Sequence, residues 1–445
     1  MRYKESKYTF KTKDNDGNFL MYNTAHGMNS LLCVEKSDTE KYNSLIENAG
    51  VVNDTIINKL LNKGSIVAEN VDEDSVLRRL YIETMGESVL TLIINPTEQC
   101  NFRCKYCYEN YKEGLMSQET QDRIVEFVEK NISKYTGLRI MWFGGEPLLG
   151  LKVIRNLSSE LIRICKKHKR TYYSQMTTNG YLLSYDTYLE LIKLHVMTYQ
   201  ITVDGIKDIH DSQRVYVNNE GTFDTIYNNL KAIKLGKKYP VQIVLRTNFT
   251  CSLYERMDEY IESFCNEFKD DKRFSFDIHL VGNWLGKADS AIIDDIGEVN
   301  LYQKIYKKLL CHPNGNINLT TIFMNPGGRV CAAAKKNSYM ISSDGTIHKC
   351  TLNFESSDSV LGELTCNGNM CINAEKSAEW IGVWDYCKSQ NDCYLAPLCF
   401  GDHCPLPKTD GKRICGELYC PEIKLYMDVY LKCLNRHDKF EKLKF

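Results

Sequence analysis

The stretch "PTEQCNFRCKYCYENY", Pro96–Tyr111, places three cysteines in one short loop directly after an apolar segment. Cys100, Cys104 and Cys107 are spaced C-x3-C-x2-C, with no fourth cysteine close by. Thiolate sulfurs suit zinc and iron–sulfur clusters, but structural zinc sites usually pair two close ligands with two distant ones. Three ligands in one loop instead indicate a cuboidal cluster with one iron left open. A cysteine loop without metal is the less favoured alternative.

The chain around this loop alternates apolar strands with amphipathic helices. Six segments have the composition of buried strands: "VLTLIINP", "LRIMWFGG", "YYSQMTTN", "TYQITVDG", "VQIVLRTN" and "FSFDIHLV". Helical spacing of apolar residues lies between them, as in "QETQDRIVEFVEKNISKY". This alternation predicts an α/β fold with a parallel sheet, and six units suit a partial (β/α)6 TIM-like barrel. Reactive groups lie at the C-terminal strand ends of such barrels, where the unusual motifs of this sequence also fall.

A second motif, "WFGGEP", follows the second predicted strand. Gly144 and Gly145 would let the backbone approach a ligand closely, because glycine has no Cβ atom. Glu146 could accept hydrogen bonds from an ammonium group. Taken alone, the motif is also a plausible turn.

Together, the cysteine loop and the glycine-rich segment resemble the radical S-adenosylmethionine (SAM) enzymes. Tyr106, the aromatic residue before the third cysteine, also fits that family. The resemblance implies that Cys100, Cys104 and Cys107 hold a catalytic [4Fe–4S] cluster whose open iron chelates SAM, and that the GGEP segment binds the methionine part. It implies an oxidoreductase that generates a 5′-deoxyadenosyl radical, with the reactive chemistry supplied by the cofactors.

Polar residues at further strand ends are candidates for SAM contacts under the same resemblance. Thr202 and Asp204 are the candidates for the ribose, and Asn179 and Arg246 are secondary candidates. Arg214, in the segment "HDSQR", could pair with the SAM carboxylate. Each of these residues could equally be an ordinary polar group at the end of a strand.

The C-terminal part of the chain is rich in cysteine, since eleven of the 19 cysteines follow residue 330. This change in density predicts a domain boundary there. The run C-x13-G-x4-C, from Cys331 through Gly345 to Cys350, and the later cysteines resemble the SPASM extension of radical SAM enzymes. That extension houses two auxiliary [4Fe–4S] clusters. One or two structural zinc sites are the alternative.

The resemblance implies ligands for both auxiliary clusters. One would use Cys331, Cys350 and Cys404, and would keep an open iron unless Cys311 folds in, because Asn325 stands where some relatives have a further cysteine. The other would use the remaining candidates, which are Cys387, Cys393, Cys399 and either Cys415 or Cys420. The spacing departs from the family's C-x2-C-x5-C-x3-C run at its first and last gaps, so the assignment within the set stays open.

The predicted domain organisation has four parts. Residues 1–87 form an α+β unit, 88–283 the barrel, 284–330 a helical connection and 331–445 the iron–sulfur domain. In the first part, "KYTFKT" and "NFLMYNT" flank the turn-rich "KDNDG" and predict a hairpin, which short helices follow. This unit is either a simple packing unit or a module whose strand edge accepts an extended peptide.

Composition narrows the class of partner. The chain of 445 residues has 43% hydrophobic residues and a net charge of −1, from 56 basic and 57 acidic residues. We therefore expect no nucleic-acid partner. The sequence shows no apolar stretch of signal-peptide or bilayer-spanning length, which predicts a cytoplasmic protein without a membrane partner. Because a reducing cytosol disfavours disulfides, the cysteines point to metal binding or thiol chemistry.

SPASM enzymes mostly modify peptides or proteins, so the resemblance implies a peptide substrate and a flavodoxin or ferredoxin as electron donor. The leading hypothesis is a maturase of a ribosomally synthesised precursor peptide that forms a crosslink, a cysteine thioether before other bonds. Such maturases commonly bind the leader of the precursor as an added strand on an N-terminal domain.

Several other functions stay open. Carbon–carbon crosslinking and epimerisation are compatible with the same motifs. Formylglycine formation is disfavoured, because sulfatase maturases carry an aspartate directly after the cysteine matched by Cys350, where this chain has Thr351. A non-catalytic zinc or cluster scaffold is the remote alternative, and it predicts no reductive cleavage of SAM.

Overall fold

A computed structural model describes residues 2–47, 54–111, 114–281, 295–353, 359–381, 393–401, 405 and 423–445. The chain divides into two compact units. The first comprises Met1–Glu87, Asp295–Lys335 and Gly382–Phe445, and the second comprises Ser88–Asp294 and Lys336–Ile381. No helix of the described residues is both long and apolar enough to cross a bilayer.

The strands, in chain order, are β1 (Tyr3–Glu5), β2 (Thr9–Lys13), β3 (Phe19–Asn23), β4 (Leu32–Val34), β5 (Ile66–Ala68), β6 (Val89–Ile94), β7 (Phe102–Cys104), β8 (Gly137–Trp142), β9 (Thr171–Thr178), β10 (Val196–Thr202), β11 (Arg214–Tyr216), β12 (Gln242–Phe249), β13 (Phe274–Leu280), β14 (Ser338–Ile341), β15 (Thr346–His348), β16 (Gly362–Leu364), β17 (Met370–Ile372) and β18 (Glu441–Leu443).

The α-helices are α1 (Thr39–Ile46), α2 (Asp54–Asn62), α3 (Glu73–Met85), α4 (Gln118–Asn131), α5 (Leu151–Lys167), α6 (Tyr185–Lys193), α7 (Lys207–Gln213), α8 (Phe223–Leu235), α9 (Cys251–Glu255), α10 (Met257–Tyr260), α11 (Asn266–Phe268), α12 (Asp295–Cys311), α13 (Ala374–Trp380), α14 (Ala396–Cys399) and α15 (Ile423–Asn435). A π-helical turn, Ile261–Cys265, joins α10 to α11.

Six parallel strands of the second unit form a partial barrel in the order β6, β8, β9, β10, β12, β13. Each of them overlaps one of the six predicted strand segments, so the prediction of a partial (β/α)6 barrel is confirmed. The helices between them bury one face; α5, for example, buries Ile154, Leu157 and Leu161 at helical spacing. The strand order is linear within the described residues, which makes the barrel partial.

The sheet continues beyond the barrel in a way that sequence analysis did not predict. β14 pairs parallel with β6, with Leu92 opposite Tyr339, and β15, β16 and β17 follow as antiparallel neighbours. This pairing places Lys336–Ile381 in the same unit as the barrel. The range 331–445, predicted as one domain, is therefore divided between the two units. One of the divisions falls after Glu87. The four-part domain organisation stays a prediction.

The first unit contains the predicted hairpin, formed by β2 and β3. Its turn is fixed by the Asp14 carboxylate, whose Oδ1 accepts from the backbone N–H groups of Asp16 (3.0 Å) and Asn18 (2.9 Å). Gly17 completes the turn with a φ of +87°. The hairpin belongs to a four-stranded sheet of order β18-β4-β3-β2.

Candidate cofactor site

The three-cysteine loop begins just after β6 and is held by a short strand pair. β7 pairs antiparallel with β11, which sets Cys104 opposite Arg214. The backbone N–H of Cys107 donates to the carbonyl of Cys104 (3.1 Å), and the backbone N–H of Phe102 donates to Cys100 Sγ (3.3 Å). The loop backbone is therefore fixed by its own hydrogen bonds and by β11, which orders the segment that carries the thiols.

Burial raises the pKa of all three thiols: to about 11 for Cys104, and above the ordinary value for Cys100 and Cys107. The Arg214 charge acts on Cys104 in the opposite direction. The Cys104 and Cys107 thiolates also raise the pKa of Cys100, and Cys107 raises that of Cys104, so the sulfurs lie within electrostatic reach of one another. A bound metal centre would favour the thiolate forms.

No three metal-ligating side chains of the described ranges are arranged around a single-ion position. A cuboidal cluster makes a different demand, because each of its three thiolates binds a separate iron. The all-sulfur donor set and the single loop fit such a cluster better than they fit one zinc ion.

Gly144 and Gly145 pack against the start of the cysteine loop. Gly144 has a φ of +106°, and a Cβ atom there would stand 2.3 Å from the carbonyl oxygen of Thr97. A Cβ atom on Gly145 would stand 2.5 Å from the carbonyl oxygen of Gln99. The backbone that precedes the first cysteine therefore leaves no room for a side chain at either position. The predicted close approach of these glycines to a ligand stays a prediction.

Glu146 links the ends of β8 and β9. Its side chain is fully buried, and it accepts from the Thr178 hydroxyl (2.8 Å) and from the backbone N–H groups of Asn179 (2.7 Å) and Leu148 (3.0 Å). Burial raises the pKa of Glu146, while these hydrogen bonds act to lower it. A carboxylate has about four acceptor positions, so Glu146 retains room for one further donor, such as the predicted ammonium group.

Tyr106, Asp204 and Arg214 are brought together in one buried hydrogen-bond network. The Tyr106 hydroxyl donates to the Asp204 carboxylate and accepts from Arg214 Nη1 (2.7 Å) and Asn248 Nδ2 (3.1 Å). Asp204 Oδ1 accepts from the Asn248 backbone N–H (3.0 Å), and Arg214 Nη1 lies 3.9 Å from Asp204 Oδ2. The network connects the cysteine loop to the ends of β10 and β12.

Thr202 and Arg246 are register partners on the neighbouring strands β10 and β12. Arg246 Nε donates to Asn248 Oδ1 at 3.2 Å, so this arginine joins the edge of the same network. Thr202 is the last residue of β10, as predicted, whereas Arg246 lies three residues before the end of β12. Their predicted contacts with SAM stay predictions.

Buried polar atoms beside the cysteine loop are available for a ligand. Asn179 Nδ2 donates to Asn101 Oδ1 (2.8 Å) and lies 3.9 Å from Cys100 Sγ. Among the described residues, both side-chain polar atoms of Asn95 and the Nε atom of Arg214 are buried without a hydrogen-bond partner. Such atoms are costly unless a ligand or water satisfies them, so the site fits a polar cofactor.

Two further residues support the network: Asn248, which the sequence places near a strand end, and His210, which sequence analysis missed. The His210 ring is fully buried, its Nδ1 accepts from the Asp204 backbone N–H (3.1 Å), and its Nε2 therefore carries the proton donated to Thr222 Oγ1 (3.0 Å). The Thr222 hydroxyl in turn donates to the Arg214 carbonyl (2.6 Å). The available signal was the short spacing between His210 and Arg214 in "HDSQR", although only the fold reveals the partners.

The buried neutral state of His210 predicts a pH-dependent stability. Burial and the Arg214 charge hold the pKa of His210 well below its ordinary value. Below about pH 6.5, His210 is protonated in the unfolded chain but stays neutral in the folded protein. His210 should therefore lower the free energy of unfolding by about 1.4 kcal/mol for each unit that the pH falls. The measurement is thermal unfolding between about pH 7.5 and 5.5.

The matched variants for this measurement are His210→Gln and His168→Gln. The first should reduce the pH dependence by the share that His210 contributes, whereas buried His348, whose pKa burial lowers to about 4, still contributes. The second replaces a half-buried histidine that pairs with Glu129 at 2.9 Å, and it should keep the dependence of the wild type. Equal slopes in wild type and His210→Gln would contradict the assignment.

The predicted auxiliary ligands are described only in part. Cys350 lies in the second unit, is buried, and accepts at Sγ from the backbone N–H of Leu352 (3.3 Å). Cys331, Cys393 and Cys399 lie in the first unit. Four candidates lie outside the described residues, namely Cys387, Cys404, Cys415 and Cys420. The grouping of these cysteines into two clusters stays a prediction.

Residues 94–266 match the sequence model of the radical SAM superfamily. The chain contains a radical SAM domain. This domain begins at the last residue of β6 and includes the cysteine loop, the GGEP segment and the Tyr106–Asp204–Arg214 network. The resemblance inferred from the motifs is thereby confirmed.

Curated relatives extend the comparison. The radical SAM cyclopropyl synthase TigE of Paramaledivibacter caminithermalis is 25% identical over 297 residues, which cover 59% of this chain and 60% of TigE. The cysteine-type anaerobic sulfatase-maturating enzyme of Clostridium novyi is 28% identical over 170 residues, which cover 36% of this chain and 44% of that enzyme. The chain thus spans less than two thirds of either relative.

Solved structures share the fold over more of the chain. The structure of anSMEcpe with bound AdoMet (SAM) has a TM-score of 0.58 at 19% identity, and it covers 79% of this chain and 96% of that one. Streptococcus suis SuiB bound to precursor peptide SuiA has a TM-score of 0.50 at 15% identity, covering 90% and 95%. These similarities show a common fold.

Proposed function

We propose that this protein is a radical SAM maturase that removes hydrogen from a ribosomally synthesised peptide and forms a crosslink in it. The observation that carries the proposal is the position of the C-x3-C-x2-C loop. In a radical SAM domain, its half-buried thiols lie beside the GGEP segment and the Tyr106–Asp204–Arg214 network, at the C-terminal strand ends.

Each part of this site has a binding role. Cys100, Cys104 and Cys107 would hold a [4Fe–4S] cluster. When bound, the cluster supplies the electron that cleaves SAM, and the resulting 5′-deoxyadenosyl radical takes a hydrogen atom from the substrate. The acceptor position left on Glu146 would receive the methionine ammonium. Tyr106 would fix the cysteine loop to Asp204.

The remaining polar residues would orient the rest of SAM. Arg214 Nε, which is buried and has no partner among the described residues, would donate to the SAM carboxylate. Asp204 and Thr202 would receive the ribose hydroxyls, with Asn179 and Arg246 as further contacts. Because Asp204 and Asn179 are almost completely buried, water is largely excluded where the radical forms.

A peptide substrate is supported by two features. The first unit contains the hairpin sheet predicted to bind a leader by strand addition. Structures that share the fold contain peptides: anSMEcpe with the Cp18Cys peptide, and SuiB with precursor peptide SuiA. We further propose two auxiliary [4Fe–4S] clusters on the cysteines from Cys331 to Cys420, and a flavodoxin or ferredoxin as electron donor.

A cysteine thioether is the bond proposed first, because a cysteine-rich extension suits the handling of a substrate thiol. The second candidate is a carbon–carbon crosslink, which is favoured by the similarity to a cyclopropyl synthase. Both reactions remove two hydrogens from the peptide. The two products differ in their number of free cysteine thiols, because a thioether consumes one thiol of the peptide and a carbon–carbon bond consumes none.

The test uses a candidate precursor, a short cysteine-containing peptide encoded beside the gene. Reconstituted protein, SAM and reductant are incubated with it without oxygen, and the product is treated with iodoacetamide before mass spectrometry. A loss of two hydrogens together with one fewer alkylated cysteine is expected for a thioether. The same loss with all cysteines alkylated would establish the carbon–carbon alternative. Unchanged peptide despite SAM cleavage would contradict the crosslinking proposal for that substrate.

A further inference from the structure

A strand from the end of the sequence occupies one edge of the N-terminal sheet. β18 pairs parallel with β4, with Glu441 opposite Leu32 and Leu443 opposite Val34. Both strands belong to the first unit. A sheet edge presents unpaired backbone groups and is the usual place where an extended peptide adds as a strand. On the β4 edge, this place is taken by a segment of the chain itself.

Several hydrogen bonds that hold β18 and the residues after it are made by the backbone of that segment. The Glu441 backbone N–H donates to the carbonyl of Leu31 (3.1 Å), and Lys59 Nζ donates to the carbonyl of Lys442 (3.3 Å). After the end of β18, the Phe445 backbone N–H donates to Asp38 Oδ2 (3.2 Å). These bonds would form with any extended peptide of the same register.

The acidic side chain of the segment is matched by a pair of lysines. Glu441 Oε1 lies 2.7 Å from Lys59 Nζ, and Glu441 Oε2 lies 2.9 Å from Lys63 Nζ. Within the described residues, no other carboxylate pairs with either lysine. The pair stands at the end of α2, so this part of the edge selects for an acidic residue.

The apolar side chains of the segment are matched by the core of the unit. Leu443 is only 1% exposed and belongs to the same apolar cluster as Val34 and Tyr42. The Phe445 ring meets Tyr42 edge-on, with ring centroids 6.4 Å apart. The edge therefore fits an acidic residue, an aliphatic residue two positions later and an aromatic residue two positions after that.

The attachment is short enough to be exchanged. β18 has three residues, and Glu441 and Lys442 are exposed, which leaves Leu443 as its one buried side chain. The segment follows α15 after a brief turn, so it competes at the high effective concentration of a tethered ligand. An external peptide with the same pattern and a longer register could displace it.

We propose that the β4 edge, with Lys59, Lys63 and Tyr42, is the docking site for the leader of the peptide substrate, and that Glu441–Phe445 occupies it in cis until a leader displaces it. The identity of the partner rests on the proposed function, whereas the docking site rests on the contacts above. The cis segment acts as a built-in competitor, so a leader without the acidic and apolar pattern does not gain access.

The test measures binding of a labelled peptide, KFEKLKF, which repeats Lys439–Phe445. Fluorescence anisotropy is recorded with the full chain, with Leu443→Ser, which weakens the cis strand, and with Lys444→Ser, which changes an exposed neighbour. We expect Leu443→Ser to bind the peptide at least about tenfold more tightly than the other two proteins. A peptide with lysine in place of its glutamate should bind about tenfold more weakly, because it meets Lys59 and Lys63.

Two outcomes would overturn the docking site: equal affinity of all three proteins, or no binding to a folded Leu443→Ser protein. If Leu443→Ser fails to fold, Glu441→Lys replaces it, because that exposed substitution repels the two lysines without emptying the core. SAM cleavage is measured in parallel. Absent peptide binding with intact cleavage would refute the docking site alone, whereas binding without any cleavage would refute the proposed function alone.

Discussion

Replacing Cys100, Cys104 and Cys107 together by alanine should reduce 5′-deoxyadenosine release to the level seen without protein. The three thiols lie in one ordered loop and are the proposed ligands of the cluster that binds SAM, so their loss removes the source of the electron. Iron and labile sulfide should fall by the content of one cluster. The measurements are metal analysis of anaerobically reconstituted protein and chromatography of the SAM products.

The control for this variant is Cys165→Ala, combined with Cys265→Ala. These two cysteines are buried in the helical layer and serve as small apolar residues, so their replacement should leave both iron content and SAM cleavage intact. If the triple variant still cleaved SAM, the cluster would have to sit elsewhere. If neither protein cleaved SAM, the scaffold alternative would gain support.

Gly144→Ala should strongly destabilise the second unit. The new Cβ atom would stand 2.3 Å from the Thr97 carbonyl oxygen, on a residue whose φ of +106° disfavours any side chain. Strain and overpacking each cost about 1–3 kcal/mol, so a loss of about 2–6 kcal/mol is expected. Unfolding in denaturant is monitored with a spectroscopic probe in the barrel. The affinity for SAM is measured by equilibrium dialysis.

Gly114→Ala is the matched control, because a Cβ atom there meets nothing within 4 Å. It should unfold like the wild type. Equal unfolding curves for Gly144→Ala and Gly114→Ala would show that the glycine does not hold the GGEP segment against the cysteine loop. A normal unfolding curve with weakened SAM binding would instead support the original expectation of close approach to a ligand.

The six barrel strands could be predicted because their signal is local. Each is an apolar run bounded by turn residues, and the intervening helices carry apolar residues at helical spacing. The pairing of β14 with β6 could not be predicted in this way. It joins residues about 250 positions apart in the sequence, and nothing within "SYMI" specifies its partner strand.

Site residues could be predicted where they belong to a sequence motif. They could not be predicted where the contact depends on which strands are neighbours in the fold. The cysteine spacing and GGEP identify their residues directly. The role of Glu146 is broader than predicted, because three of its acceptor positions bind protein groups. Asn248 and His210 could not be assigned, since a hydrogen-bond partner across strands depends on register. The steric requirement for glycine at position 144 could be seen only from the position of the Thr97 carbonyl group.

In the proposed reaction, a radical formed at the Cys100–Cys107 loop takes hydrogen from a peptide. The most direct measurement is deuterium transfer, using a precursor peptide made with fully deuterated residues and unlabelled SAM in ordinary water. We expect the released 5′-deoxyadenosine to carry deuterium from the peptide, and to do so only when the peptide is present. Unlabelled 5′-deoxyadenosine, formed alongside a crosslinked peptide product, would contradict the claim.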